Sequence, residues 1–359
     1  MLDPRGREPS RIRGRFSRRS WTLLIAGVGI VVSAAVAALL PVPYVILSPG
    51  PTLNTLGRIT SGPLIQISDH PTSKTTGHLN LVTVSFLGGP GDQFNVFTAL
   101  RAWLTPHTAV VPEQELFTPG QSAQQVVQQD TEQMASSQQT ATAAALCVLG
   151  IHFATVDTIQ GTEKNMPATG ILRRGDVIRA VDGKAVGCDA SAADLIRARR
   201  PGAPVELSIL RGGKTEQIRL KTADVQGQPV VGVEVQESYR FPFGIRIDVG
   251  NIGGPSAGLI FALGIVDKLT PGGNLTGGKF IAGTGEISSD GTVSPIGGIQ
   301  QKMAGARSAG ATVFLSPAAN CSDALSAVPP GMRLVKVSTL RGALQALAAL
   351  KAGQAVPSC

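Results

Sequence analysis

The sequence predicts a mixed α+β chain: one N-terminal transmembrane helix, then a small β-rich unit and an α/β unit. Three observations predict it. Residues 21–40 carry no charge. Gly and Pro, 43 and 24 of 359 residues, break much of the chain into short strand-like runs. Two longer stretches, Ser122–Leu149 and Pro255–Leu269, read as helices between those runs. Hydrophobic residues at 43% and charged residues at 16% exclude a disordered chain. No G-x-y period exists, so a collagen-like rod is excluded too.

The apolar run Trp21–Leu40 comes first. Twenty helical residues span roughly 30 Å, the hydrocarbon thickness of a bilayer. Seven arginines (Arg5, Arg7, Arg11, Arg13, Arg15, Arg18, Arg19) precede it, and Pro41 and Pro43 close it. The excess of positive charge places a basic tail, residues 1–20, in the cytoplasm and everything after Pro41 outside. A cleaved signal peptide is the rival reading, because Ala35-Val36-Ala37 offers an A-x-A site within residues 35–38. Both readings put most of the chain beyond the membrane.

The net charge of +8 is concentrated in that tail, which contributes +5 from seven arginines against Asp3 and Glu8. The remainder carries little excess charge, so no nucleic-acid partner is expected. The tail's simplest role is contact with anionic lipid headgroups. Cys147, Cys188, Cys321 and Cys359 stand singly, with no CxxC or His/Cys metal spacing. No metal site is expected, and a disulfide stays open.

Residues 41–150 form an extracytoplasmic stretch of strands and one long helix. Leu64–Ile67 and Leu79–Phe86 read as strands, Asn95–Leu104 as a short helix and Thr118-Pro119-Gly120 as a turn. Ser122–Leu149 contains neither Gly nor Pro and is rich in Ala and Gln. It reads as a long helix stopped by Gly150.

Residues 151–224 change character. Met166-Pro167-Ala168-Thr169-Gly170-Ile171-Leu172-Arg173-Arg174-Gly175-Asp176-Val177-Ile178-Arg179-Ala180-Val181-Asp182-Gly183 runs from a turn through a second turn into a strand that ends at Asp-Gly. Ser191 caps a short helix to Arg199, and Val205–Leu210 and Glu216–Leu220 form a hairpin around Gly212-Gly213. This segment resembles a PDZ domain of the bacterial, protease-associated kind. The resemblance implies capture of an extended peptide beside the helix Ser191–Arg199. Leu149-Gly150-Ile151 has the apolar-Gly-apolar form of a carboxylate-binding loop, although Gly150 is more simply explained as a helix C-cap.

Residues 225–351 carry the chemistry. Gly254-Pro255-Ser256-Ala257-Gly258 matches G-x-S-x-G. A hydrolase triad in the usual order needs a histidine after the serine. His70, His78, His107 and His152 all precede Ser256, so that order is excluded. A lysine kept neutral by burial is the alternative base. Of Lys268, Lys279, Lys302, Lys336 and Lys351, Lys302 stands out, because small residues surround it in Ile296-Gly297-Gly298-Ile299-Gln300-Gln301-Lys302-Met303-Ala304-Gly305-Ala306.

These residues resemble the proteolytic domain of Lon proteases. Ile245–Val249 matches the strand before the serine, Gly254–Gly258 the serine motif, Thr284-Gly285-Glu286-Ile287 a T-G-E-I strand, and Pro295–Gly298 with Lys302 the lysine motif. The resemblance covers about residues 230–350. The family usually carries Asp before G-P-S, and Gly253 stands here, as in membrane-anchored PDZ–Lon proteins of bacteria, whose layout the chain shares. The resemblance implies a serine endopeptidase: Ser256 as nucleophile, Lys302 as base and Thr284 supporting the lysine. Gly254 would let the substrate backbone approach, and Pro255 would open a helix running to Leu269. It implies a peptide or protein substrate, no cofactor, and a homo-oligomer such as a ring.

Lon proteases burn ATP. Gly213-Lys214-Thr215 resembles the end of a P-loop, but Ser208 occupies the required glycine position. Cleavage without ATP of segments already exposed is therefore expected. Residues 41–150 read as the first part of the protease domain, interrupted by the PDZ unit, or as a separate module. A peptide-binding PDZ scaffold with an inactive protease domain is the alternative function.

Overall fold

The computed structural model describes residues 18–188 and 190–359. Of the expected basic tail, residues 1–17 lie outside the described residues. Helix α1 (Arg18–Leu39) buries none of its residues, and an 18-residue window within it has a mean hydropathy of 2.4. It is long and apolar enough to cross a membrane.

The next segment contributes β1 (Tyr44–Asn54), β2 (His78–Leu87), α2 (Val96–Trp103), β3 (Ala109–Pro112) and α3 (Ala123–Val148). Strand β1 is longer than anything expected there. Pro49-Gly50-Pro51 hid it, and the pairing with β2 slips between Pro49 and Thr52, where proline cannot donate to the ladder. Helix α3 starts in a capping box, Ser122 with Gln125, and ends at Gly150 (φ +71°). Its Gln-rich first half is largely exposed, and Ala141–Leu146 are buried.

A smaller sheet follows: β4 (Ala154–Thr162), β5 (Val177–Val181), helix α4 (Ala192–Arg197), β6 (Pro204–Arg211), β7 (Lys214–Lys221) and β8 (Val233–Arg240). The strand order is β7-β6-β5-β4-β8. Alternation buries Val205, Leu207 and Ile209 against Ile159 and Ile178. Strand β8 pairs antiparallel with β4 from Val233↔Thr162 to Arg240↔Ala154, and its far edge ends the sheet.

The C-terminal part supplies α5 (Gly258–Leu269), β9 (Phe280–Gly283), α6 (Ile299–Ser308), β10 (Val313–Pro317), β11 (Arg333–Val337) and α7 (Leu340–Lys351). The larger sheet runs β11-β10-β9-β2-β1-β3, so it draws strands from both sides of the smaller sheet in sequence. Strand β9 lies parallel to β2 and β10. Alternating residues divide its faces. Leu79, Leu81, Ile281 and Leu315 pack with α3, α5 and α7, whereas Val82, Ala282 and Phe314 pack with Ile299, Met303 and Ala306 of α6. Leu259, Phe261, Leu263 and Ile265 of α5 are fully buried, each contributing roughly 1.5–3 kcal/mol.

Two disulfides settle the cysteines. Cys147–Cys188 ties the end of α3 to the smaller sheet's unit, and Cys321–Cys359 holds the C-terminus.

Candidate active site

Ser256 stands in the turn before α5. The sequence placed Pro255 in the first helical turn, but α5 starts at Gly258 with Ala257 as its cap, so Pro255 and Ser256 precede it. Several bonds fix this turn. The Gly258 amide donates to the Pro255 carbonyl at 3.4 Å, and the Gly254 amide donates to the Asp130 carbonyl at 3.0 Å. Ser137 Oγ of α3 donates to the Pro255 carbonyl at 2.8 Å. The Gly285 amide and Thr284 Oγ1 donate to the Ser256 carbonyl, at 2.8 and 2.9 Å. Gly254 has φ +83°, a left-handed conformation that favours glycine, and a Cβ there would meet open space. Gly253 is glycine for a different reason: a Cβ would lie 2.6 Å from Asp130 Cβ.

Lys302 projects from α6 into the same place. Gly298, with φ +66° and no room for a Cβ beside Val84, starts the helix one turn earlier. Lys302 is only 4% exposed, yet among the described residues no carboxylate forms an ion pair with it. Burial in this apolar setting lowers its pKa to about 8. Its Nζ lies 2.8 Å from Ser256 Oγ and 3.3 Å from Thr284 Oγ1. Thr284 directly follows β9 and is fully buried. Its hydroxyl proton goes to the Ser256 carbonyl, so its lone pair faces Lys302 and accepts an N–H from it. That leaves the nitrogen lone pair of a neutral Lys302 for the serine proton. Ala257 provides no side-chain cap at the positive end of α5. The structure thus gathers Ser256, Lys302, Thr284, Gly254 and Pro255. Glu286, next to them in sequence, is exposed.

Leu149, Gly150 and Ile151, read from the sequence as a carboxylate-binding loop, are not gathered there. The Gly150 amide donates to the Cys147 carbonyl and the Ile151 amide to the Leu146 carbonyl, at 3.0 and 2.9 Å. Leu149 and Ile151 pack on the core of the larger sheet. These amides are spent closing α3 and have no proton left for a carboxylate.

The open surfaces lie elsewhere. A groove of about 350 Å³ runs between α4 and the segment 229–237, walled by Ala192, Ile196, Val231 and Val233. A cleft of about 1230 Å³ continues from Ala193 and Arg197 of α4, past β8 and α3, to Pro255 and Glu286. Strand β8 therefore borders both. On it Glu237 pairs across from Asp157 of β4, whose carboxyl is pushed up to about 6 by burial and by Glu237. Glu237 accepts from Tyr239 and, at 3.0 Å, from Ser289 beyond β9. Sequence reasoning missed β8, although its alternating Val233, Val235, Glu237 and Tyr239 carry a strand period. It also assigned no contact to Ser137, and a bond spanning 118 positions leaves no local signal.

Comparison with known proteins places two domains on this geometry. Residues 147–222 match the PDZ domain model, and residues 244–348 match the Lon protease (S16) C-terminal proteolytic domain. Lon protease 2 of Herpetosiphon aurantiacus is 34% identical over 105 residues, covering 29% of this chain and 12% of that protein. Lon protease 1 of Bacillus subtilis is 31% identical over 118 residues, covering 32% of this chain and 14% of that protein. The chain thus spans only 12–14% of the length of these curated relatives. Among solved structures, the PDZ domain of an SdrC-like protein from Listeria innocua is 29% identical with a TM-score of 0.21, covering 22% of this chain and 92% of that chain. The chain contains a PDZ domain and a Lon-type proteolytic domain. Strand β8 falls between the two matched segments and completes the smaller sheet.

Proposed function

We propose that the chain is a membrane-anchored, ATP-independent serine endopeptidase that cleaves peptides or proteins on the extracytoplasmic side with a Ser256–Lys302 dyad. One observation carries this: a buried lysine with a lowered pKa, unpaired with any described carboxylate, sits 2.8 Å from the serine of a Lon-type domain. Neutral Lys302 takes the proton of Ser256 as its Oγ attacks the scissile carbonyl. The oxyanion forms at the N-terminal end of α5, where backbone N–H groups and the helix dipole favour negative charge. Lys302 returns the proton to the leaving amine as the C–N bond breaks. A water then attacks the acyl-enzyme, giving its proton to Lys302, which passes it to Ser256 Oγ as the acyl C–O bond breaks, so that the acid product leaves with both side chains restored. Thr284 positions the amine throughout.

The PDZ groove holds the substrate, and β8 leads from it along the cleft toward Pro255. In this reading the PDZ unit interrupts the protease domain, supported by the three strands that residues 44–112 add to the larger sheet. Two disulfides fit an oxidising compartment, and α1 supplies the anchor. Labelling the full-length protein with a fluorophosphonate tests the reading. Modification of Ser256, lost in Lys302→Met, is expected. Labelling only at other residues, or none at pH 9, would overturn it.

A further inference from the structure

Helix α2 is built inside out. Its small residues Ala99 and Ala102 face the protein, against Ile46, Phe94 and Val110. Its large apolar residues face away: Phe97 is 48% exposed, Leu100 50%, Trp103 73% and the capping Leu104 72%. At 100° per residue these four positions, with Val96, fall within a sector of about 120°, so they form one continuous apolar stripe. An ordinary surface helix would turn this stripe to the core. A soluble surface rarely carries such a patch without a partner.

The position of α2 identifies the partner. The backbone passes from α1 into Pro41, which bridges Asn95, and the Val42 amide donates to the Phe94 carbonyl at 3.0 Å. Asn95 is the N-terminal cap of α2. The helix therefore starts beside the end of the membrane-spanning segment and packs against it. Exposed Arg101 lies at the margin of the stripe, where a guanidinium reaches lipid phosphates while its stem stays on the apolar side. A tryptophan, three aliphatic or aromatic neighbours and a flanking arginine are the composition of an interfacial helix.

We infer that α2 lies in the headgroup–acyl boundary of the bilayer that α1 crosses, with Phe97, Leu100, Trp103 and Leu104 inserted. This rests on α1 being a membrane span. Two contacts with the bilayer, instead of one flexible stalk, would fix the tilt of the protease domain and the height of its cleft above the lipid.

The chain has only two tryptophans, Trp21 in α1 and Trp103 in α2, which makes the test direct. Full-length Trp21→Phe and Trp103→Phe proteins are reconstituted in phosphatidylcholine–phosphatidylglycerol vesicles, with brominated acyl chains or aqueous iodide as quencher. Bromolipid should quench both single-tryptophan proteins, and iodide should quench Trp103 several-fold less than in the urea-unfolded chain. Quenching of Trp21 by bromolipid with Trp103 reached only by iodide would leave the anchor standing and overturn the interfacial helix. Protection of Trp103 from both quenchers would mean that a second copy covers the stripe, and overturns it as well. A Trp21 untouched by bromolipid would remove the span and this inference together.

Discussion

Lys302 Nζ lies 2.8 Å from Ser256 Oγ although 46 residues separate them, and the contact is made at the end of β9. Helices α5 and α6 cover opposite faces of the larger sheet, so neither faces the other across a common core. Ser256 and Lys302 meet because Ser256 precedes α5 and because Thr284, leaving β9, bonds to both. Three elements therefore have to be correct at once for the pair to form.

Ser256→Ala should reduce kcat for an unstructured peptide by about 10³-fold or more, because nucleophile and base act as one unit. The fold should survive, since the Ser256 contacts to Gly285 and Thr284 use its backbone carbonyl. Circular dichroism and peptide hydrolysis on the same sample check both halves. Activity near that of the unsubstituted protein would place the nucleophile elsewhere.

Thr284→Val keeps shape and removes the acceptor for Lys302. The Ser256 carbonyl still has the Gly285 amide, so stability should fall by only about 1 kcal/mol, the usual net worth of one hydrogen bond. The effect on kcat should be larger, about 10- to 100-fold, with KM almost unchanged, and Thr284→Ser should recover most of it. A change confined to KM would assign Thr284 to substrate binding instead.

That Ser256, Lys302 and Thr284 belong together was legible because each sits in a short contiguous motif. Helix α3 was legible too, since capping residues and the glycine stop are adjacent to what they terminate. Strand β1 was obscured by Pro49-Gly50-Pro51, and β8 lay in a segment where no motif drew attention to its alternation. The start of α5 was misplaced by three residues because Pro255 has the backbone angle of a first helical turn but is held here by Ser137 and the bond to Gly258. Gly150 has one backbone conformation that serves a helix cap and a ligand loop alike, and only the bonds of its amide separate the two.

Ala193 stands where the PDZ groove opens into the larger cleft, bordering both. Ala193→Trp should block an extended substrate there while leaving the dyad untouched. KM for a protein substrate should rise several-fold or more, and hydrolysis of a short peptide that reaches only the Ser256 end should stay within about twofold. Equal losses on both substrates would show that the groove takes no part in selecting them.

The disulfide Cys147–Cys188 closes a loop across 41 residues and joins α3, which holds Pro255, to the PDZ unit. On the chain-entropy account such a loop is worth about 4 kcal/mol. The Cys147→Ser, Cys188→Ser double variant should therefore unfold at clearly lower denaturant, and proteolysis should reveal earlier opening of residues 151–222. Hydrolysis of a short peptide should persist at low denaturant. Unchanged midpoints would mean that contacts across β8, such as Glu237 with Ser289, already carry the union.

Lys302 links activity and stability to the same proton. Its pKa is about 8 in the folded chain, against the ordinary lysine value of about 10.4 in the unfolded one. In the proposed mechanism the neutral amine is the base, so kcat/KM should climb with pH through a limb near 8 and fall tenfold per unit below it. The stability effect has its own window. Between about pH 8 and 10.4 the unfolded chain holds a proton that the folded chain has released, so stability rises with pH across that interval. Below about 8 both states are protonated, and the folded chain carries the full penalty of the buried ammonium, about 3 kcal/mol by order of magnitude. Lys302→Met removes the charge and keeps a similar unbranched volume. It should be inactive and yet raise Tm at pH 7, with the gain shrinking toward pH 10. Lys302→Arg should be inactive without that gain, because guanidinium stays charged. Peptide hydrolysis and thermal melts of the three proteins from pH 6 to 10 provide the measurement. A flat activity profile, or an active Lys302→Arg, would mean that the positive charge, and not proton transfer, is what position 302 supplies.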